Sequence, residues 1–157
     1  MAPTGELAEL SFVQPPPDGI QGAAPTATPP ASTVARGSLQ RYRAALRLVR
    51  DGELDAALQA LEHFVDVNPR HPYTDNALYW IGEVHYMKRD YARALSAFDR
   101  VLREYGDGNR APDALLKKAY CFERMGQSDQ ARSVRALLLE RYPQSGAARS
   151  LVRGGAS

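Results

Sequence analysis

Cysteine is nearly missing: Cys121 stands alone in a chain of 157 residues. A lone thiol closes no internal disulfide, so cysteine usage says little about compartment. Between Tyr120 and Phe122, at a helical position, it reads as a small buried apolar side chain. Long apolar runs are missing too. No stretch approaches the roughly 18 residues of a membrane span, so direct membrane insertion is not expected. Histidine is scarce. His63, His71 and His85 have no His, Cys or carboxylate at a close ligand spacing, and no metal or other cofactor is expected. No glycine-rich loop follows a strand, and no Ser, Cys or Thr sits in a nucleophile motif. Glu83 and Glu123 are isolated acids. No catalytic residue is therefore assigned, and the chain is not expected to be an enzyme. Lys and Arg are scattered rather than clustered, at positions such as Arg43, Arg50, Arg89, Arg93, Arg100 and Arg103, against a net charge of only +2. That pattern argues against nucleic-acid binding. A signal peptide is not visible, because Met1 is followed by Ala-Pro-Thr-Gly with no basic start and no apolar core. Either the protein is cytoplasmic or this is a mature or truncated chain.

What is present is a repeat. Ala57, Ala94 and Ala131 are 37 residues apart, as are Ala45, Gly82 and Ala119. Pro69, Gly106 and Pro143 keep the same step, and so do Phe64, Val101 and Leu138. The central unit, Asp75 to Tyr105, reads as two amphipathic helices. Leu78, Ile81, Gly82 and His85 recur on one face of the first, and Ala94, Leu95, Phe98, Val101 and Leu102 on one face of the second. Lys88-Arg89-Asp90 lies between them, with Asp90 as the N-cap. The small residues Ala45, Gly82, Ala119, Ala57, Ala94 and Ala131, with Phe98, are expected to form the packing within and between repeats, letting helix backbones approach closely. A helix-hairpin repeat of this length, with a mid-helix small residue and a terminal proline, matches the tetratricopeptide pattern. The expectation is an all-α, right-handed tetratricopeptide (TPR) solenoid of three hairpins plus a C-terminal capping helix.

Element bounds come from local signals. Helices are expected over about 38–50, with Ser38 as N-cap, and over 54–67. The next begins between Pro72 and Asp75. Pro112–Met125, Asp129–Arg141 and a short helix from Ser145 to about Val152 complete the set. Gly52 and Gly126 mark turns. Residues 1–37 hold seven of the eleven prolines and a charge balance of −2; they are expected to be a disordered Pro/Ala-rich linker. Their one apolar cluster, Leu7, Leu10, Phe12 and Val13, is either a docking motif or the end of a longer protein. The repeat domain is expected to span 38–153 and a disordered tail 154–157.

Each first helix carries a second stripe: Tyr42, Leu46 and Val49; then Tyr79, Glu83 and Tyr86; then Leu116, Tyr120 and Glu123. Spaced three and four apart, these fall on one helical face. In a stacked solenoid they line a concave groove, where tyrosine suits recognition of a partner peptide or protein. The alternative is that some of the rings pack between neighbouring helices. Trp80 reads as buried between hairpins, and His85 as a core histidine in a column with Leu48 and Phe122.

The runs Asp75-Asn76-Ala77-Leu78-Tyr79-Trp80-Ile81-Gly82-Glu83 and Ala111-Pro112-Asp113-Ala114-Leu115-Leu116-Lys117, with Asp90-Tyr91, Ala94-Leu95, Phe98 and Arg141-Tyr142-Pro143, resemble the C-terminal tetratricopeptide domain of the Tol-Pal system protein family (YbgF/CpoB type). The resemblance covers about residues 38–152 and extends to the proline-rich spacer. It implies a periplasmic, non-catalytic interaction module that binds a TolA-like envelope protein and coordinates outer-membrane constriction with peptidoglycan synthesis in cell division. That family has a signal peptide and usually an upstream coiled coil, neither of which is visible here, so a monomer or weak oligomer is expected. Two alternatives are a TPR scaffold of another envelope or outer-membrane assembly complex, and a generic cytoplasmic TPR adaptor. A cochaperone-type carboxylate clamp is disfavoured, since Tyr42, Leu46 and Trp80 stand where its Lys and Asn would be.

Overall fold

The computed structural model describes residues 31–154. The chain divides into two units, Met1–Arg36 and Gly37–Ser157; only the opening of one helix is described in the first, and the repeats belong to the second. Seven helices and no strand occur among the described residues: α1 (Ala31–Arg50), α2 (Leu54–Val67), α3 (Thr74–Met87), α4 (Tyr91–Glu104), α5 (Ala111–Arg124), α6 (Ser128–Arg141) and α7 (Gly146–Gly154). They pack in chain order, α2 on α3, α3 on α4, α4 on α5 and α5 on α6, and α7 covers both α5 and α6. The Tyr42 ring of α1 lies 5.5 Å from that of Phe64 in α2. The fold is an all-α solenoid of three hairpins with a C-terminal helix.

The 37-residue step is written into the backbone. α1, α3 and α5 all end in the same turn. The amides of Glu53, Asp90 and Gln127 donate to the carbonyls of Leu48, His85 and Phe122, and those of Gly52, Arg89 and Gly126 to Val49, Tyr86 and Glu123. This double bond pattern is a Schellman motif, and it needs a left-handed residue. Gly52 and Gly126 supply it with φ of 80° and 73°, but the central repeat uses Arg89 at φ 61°. Asp90 then caps α4, its Oδ1 accepting from the Arg93 amide at 3.2 Å. The ends of the second helices repeat as well. Tyr105 donates its hydroxyl to the Pro69 carbonyl at 2.9 Å, and Tyr142 donates to the Gly106 carbonyl at 2.6 Å. Each tyrosine thus ties the end of its hairpin to the end of the hairpin before.

The apolar columns are internal. Ala45, Ala57, Ala94, Phe98, Ala119 and Ala131 are buried, with Leu61, Phe64, Val101 and Leu138. Gly82 is buried too, and a Cβ placed there would lie 2.5 Å from Phe98 Cε1. The close neighbour of Gly82 is therefore an aromatic ring, not the helix backbone expected for it. The preceding repeat has Ala45 and Leu61 at these two positions, a larger residue opposite a smaller one. At the C-terminal end Ala147 and Ala148 of α7 close a cluster with Leu115 and Leu138. Ser145 caps that helix, accepting from the Ala148 amide at 3.0 Å.

Two expected boundaries are corrected. α1 starts at Ala31, so residues 31–37, expected to belong to a disordered linker, are helical. Ser38 is consequently no N-cap: it is buried inside the helix and donates its hydroxyl to Asn68 Oδ1 at 2.8 Å. Gly154 ends α7 rather than beginning a tail. The remaining linker, with its Leu7–Val13 cluster, and residues 155–157 lie outside the described residues.

Candidate functional site

The site expected on α1, α3 and α5 divides into an inner part and an outer part. Along α3 every residue from Thr74 to His85 is buried. A helix with one face toward an open groove would not bury Asp75, Asn76, Glu83 and His85 together. Asp75, Asn76 and Glu83 are answered locally. Asp75 Oδ1 accepts from the Asn76 amide at 2.8 Å. Arg110, at the start of α5, donates from Nε to Asn76 Oδ1 at 2.6 Å and lies over the Tyr79 ring at 5.0 Å. Lys117 Nζ donates to Glu83 Oε2 at 2.9 Å. The side chains of α5 thus cover α3. Burial pushes the Asp75 carboxyl above the usual carboxylate range, against the nearby Asn76 amide and Arg110.

Four of the nine expected groove residues are therefore corrected. Tyr42 is 3% exposed, Val49 5%, Tyr79 1% and Glu83 3%. Tyr42 stacks on Tyr73 at 5.2 Å, and burial drives its hydroxyl well above the ordinary tyrosine range. Tyr79 sits edge-on to Trp80 at 6.0 Å and tilted to Phe98 at 5.7 Å. These rings pack the interior of the solenoid. The other five stand nearer solvent. Leu46, Tyr86, Leu116 and Tyr120 are half-buried and Glu123 is exposed. Leu116 also leans on the C-terminal apolar cluster.

The outer part gathers around Tyr86, at the C-terminal end of α3. Its ring meets Tyr91 of α4 edge-on at 5.4 Å. Lys117 Nζ stands 5.8 Å from the centroid, and Arg124 Nε donates to the hydroxyl at 3.3 Å. One residue before Arg124 on α5, Glu123 pairs with Arg135 of α6. The result is two tyrosine rings flanked by cations, partly open to solvent, on side chains drawn from three helices. Neither Tyr91 nor Arg124 was expected at the site, Tyr91 having been marked only by the family resemblance. Tyr91 directly follows the cap Asp90, and the Lys88–Asp90 turn folds it back on Tyr86.

Among the described residues no group of three or more His, Cys, Asp or Glu could hold a metal ion. Burial pushes the Cys121 thiol up to about 12, which leaves it protonated and unreactive at neutral pH. Burial lowers the His85 pKa below the usual imidazole value. No helix among the described residues is long and apolar enough to cross a membrane.

Comparison with known proteins agrees with the repeat geometry. Two family profiles, both described as tetratricopeptide repeat, match residues 42–109 and 85–153. The chain is a tetratricopeptide repeat protein. Its three A helices are α1, α3 and α5, and its B helices α2, α4 and α6. The surface around Tyr86 is carried by the A helices α3 and α5 together with Tyr91 of the B helix α4, on a fold that serves as a protein-binding scaffold. The chain is also similar to the outer membrane protein assembly factor BamD of Caulobacter vibrioides, at 32% identity over 98 residues. The matched part is 55% of this chain and 32% of the relative, so the tetratricopeptide chain spans about a third of that protein's length.

Proposed function

We propose that this tetratricopeptide domain is a non-catalytic protein-binding module of the bacterial envelope that seats a partner segment on the A-helix surface formed by Leu46, Tyr86, Leu116, Tyr120 and Glu123. The observation that carries the reading is the position of Tyr86. It is a half-exposed ring held between Tyr91, Lys117 and Arg124, and so offers an apolar body and a fixed hydroxyl at low entropic cost. A periplasmic setting is supported by the similarity to an outer-membrane assembly factor and by the resemblance of the DNALYWIGE and APDALLK runs to the Tol-Pal system family. Within that setting the resemblance favours a TolA-like partner and a role coordinating outer-membrane constriction with peptidoglycan synthesis.

Isothermal titration of the domain with the soluble periplasmic portion of the TolA-like protein from the same organism tests this. Micromolar binding, weakened about tenfold or more by Tyr86→Ala plus Tyr120→Ala with helical circular dichroism unchanged, is the expected result. No detectable binding would remove the Tol-Pal reading. The similarity to BamD favours a second reading, a scaffold of outer-membrane protein assembly. Co-purification of the full-length protein with that assembly machinery, and not with the TolA-like protein, would select it.

A further inference from the structure

A second feature lies at the C-terminal end of the solenoid and meets the A-helix surface through Tyr120 and the Glu123–Arg135 pair. A cleft of about 420 Å³ opens between α5, α6 and α7, lined by Tyr120, Arg135, Leu139, Leu151 and Val152, among others. Such a volume is in the range that seats a small ligand or a pair of large apolar side chains. Its walls are unusually wet for their chemistry. Val152 is 67% exposed and Leu139 41%. Arg135 pairs through Nη2 with Glu123, while its Nε–H is buried with no hydrogen-bond partner. The rest of that guanidinium, about a third exposed, brings a cation to the wall of an apolar cleft.

The surrounding charge indicates what kind of partner the cleft receives. Residues 117–153 carry eight Lys and Arg against three Asp and Glu, a balance of +5 in a chain whose total is +2. The rest of the chain is net acidic in sum, although α1 is also basic, with five Arg and no acid, so the helices that build the cleft form one of two positive regions. A field of one sign around an apolar pocket steers and selects an oppositely charged partner.

We propose that this cleft docks an acidic amphipathic helix of a partner protein. Its apolar side chains would enter between Leu139, Leu151 and Val152, and its carboxylates would meet Arg135 and the surrounding cations. The proposal rests on the reading of the domain as a protein-binding module, but assigns the partner's chemistry and a separate place for it.

The test uses fluorescence anisotropy with a labelled synthetic peptide of about 16 residues, with Leu at helical three-and-four spacing and Glu elsewhere. A charge-reversed peptide with Lys in place of Glu serves as control. The expected result is saturable, salt-sensitive binding of the Glu peptide alone, lost about tenfold or more in Leu139→Ser plus Val152→Ser and unaffected by Tyr86→Ala. Both substituted residues are exposed, and unchanged circular dichroism verifies the fold. Equal binding of the Lys peptide, or binding untouched by the double substitution, overturns the proposal. Loss on Tyr86→Ala alone overturns it while leaving the A-helix surface standing. A concentration-dependent dimer in sedimentation, abolished by Leu139→Ser, would assign the cleft to a second copy of this chain and also overturns it.

Discussion

Phe98 rests its ring where the side chain of residue 82 would otherwise be: a Cβ on Gly82 would stand 2.5 Å from Phe98 Cε1. The pair joins α3 to α4 inside the central hairpin. The buried ring must tilt or shift to admit even one methyl. Gly82→Ala should cost about 1–3 kcal/mol by overpacking, with the gain in helix propensity offsetting only part of it. Phe98→Leu reproduces the Ala45 and Leu61 pairing of the first repeat. In a Gly82→Ala background it should cost less than in the natural chain, and a double-mutant cycle by urea denaturation measures that coupling. Additive costs would count against the contact.

Arg89 occupies a left-handed position that the flanking repeats give to Gly52 and Gly126. A side chain there costs roughly 1–2 kcal/mol of steric strain, partly offset by glycine's larger unfolded-state entropy. Arg89→Gly should therefore stabilise the domain by about 0.5–1 kcal/mol, and Gly126→Ala should destabilise it by a similar amount. A lower urea midpoint for Arg89→Gly would contradict the turn assignment.

His85 and His71 both have pKa values lowered by burial. A depressed pKa means the unfolded chain binds protons that the folded chain does not. Stability is then fully present above the unfolded value near 6.5 and falls as the solution is acidified toward the folded values. For His85 the nearby Asp90 and Glu62 work against this shift, while Arg93 and Lys88 add to it. The melting temperature should drop between about pH 7 and pH 5. His85→Leu, which copies Leu48 of the first repeat, should flatten that drop. A slope unchanged by the substitution would exclude His85 as its source.

Legibility in the sequence tracks the range over which each signal acts. Gly52, Gly126, Asp90, Pro112 and Ser145 fix helix ends through local backbone chemistry, and the described ends from Arg50 to Arg141 lie within one or two residues of expectation. The 37-residue columns determined the fold, because buried small and apolar residues must recur wherever hairpins stack. The start of α1 was not legible: Ala31 to Gly37 carries no apolar period and directly follows a proline pair. Nor was the fate of Tyr42, Val49, Tyr79 and Glu83. Periodicity assigns residues to a face of an isolated helix, but the cover over that face is supplied by another helix. Lys117 and Arg110 lie 34 residues beyond Glu83 and Asn76, and no local pattern announces that they close over α3. Tyr86, one turn beyond Glu83, is only half-buried, whereas Val49 at the same place in the first repeat is buried.

Tyr79 and Tyr86 stand seven residues apart on α3, and comparing their alanine variants in one titration against the soluble TolA-like domain, with melting curves alongside, tests the account most directly. Tyr79→Ala removes a core ring and should cost about 3–5 kcal/mol of stability. Tyr86→Ala should change stability by less than about 1 kcal/mol and weaken partner binding about tenfold. A Tyr86→Ala variant that binds as the natural domain does, or a Tyr79→Ala variant that melts unchanged but no longer binds, would contradict the account.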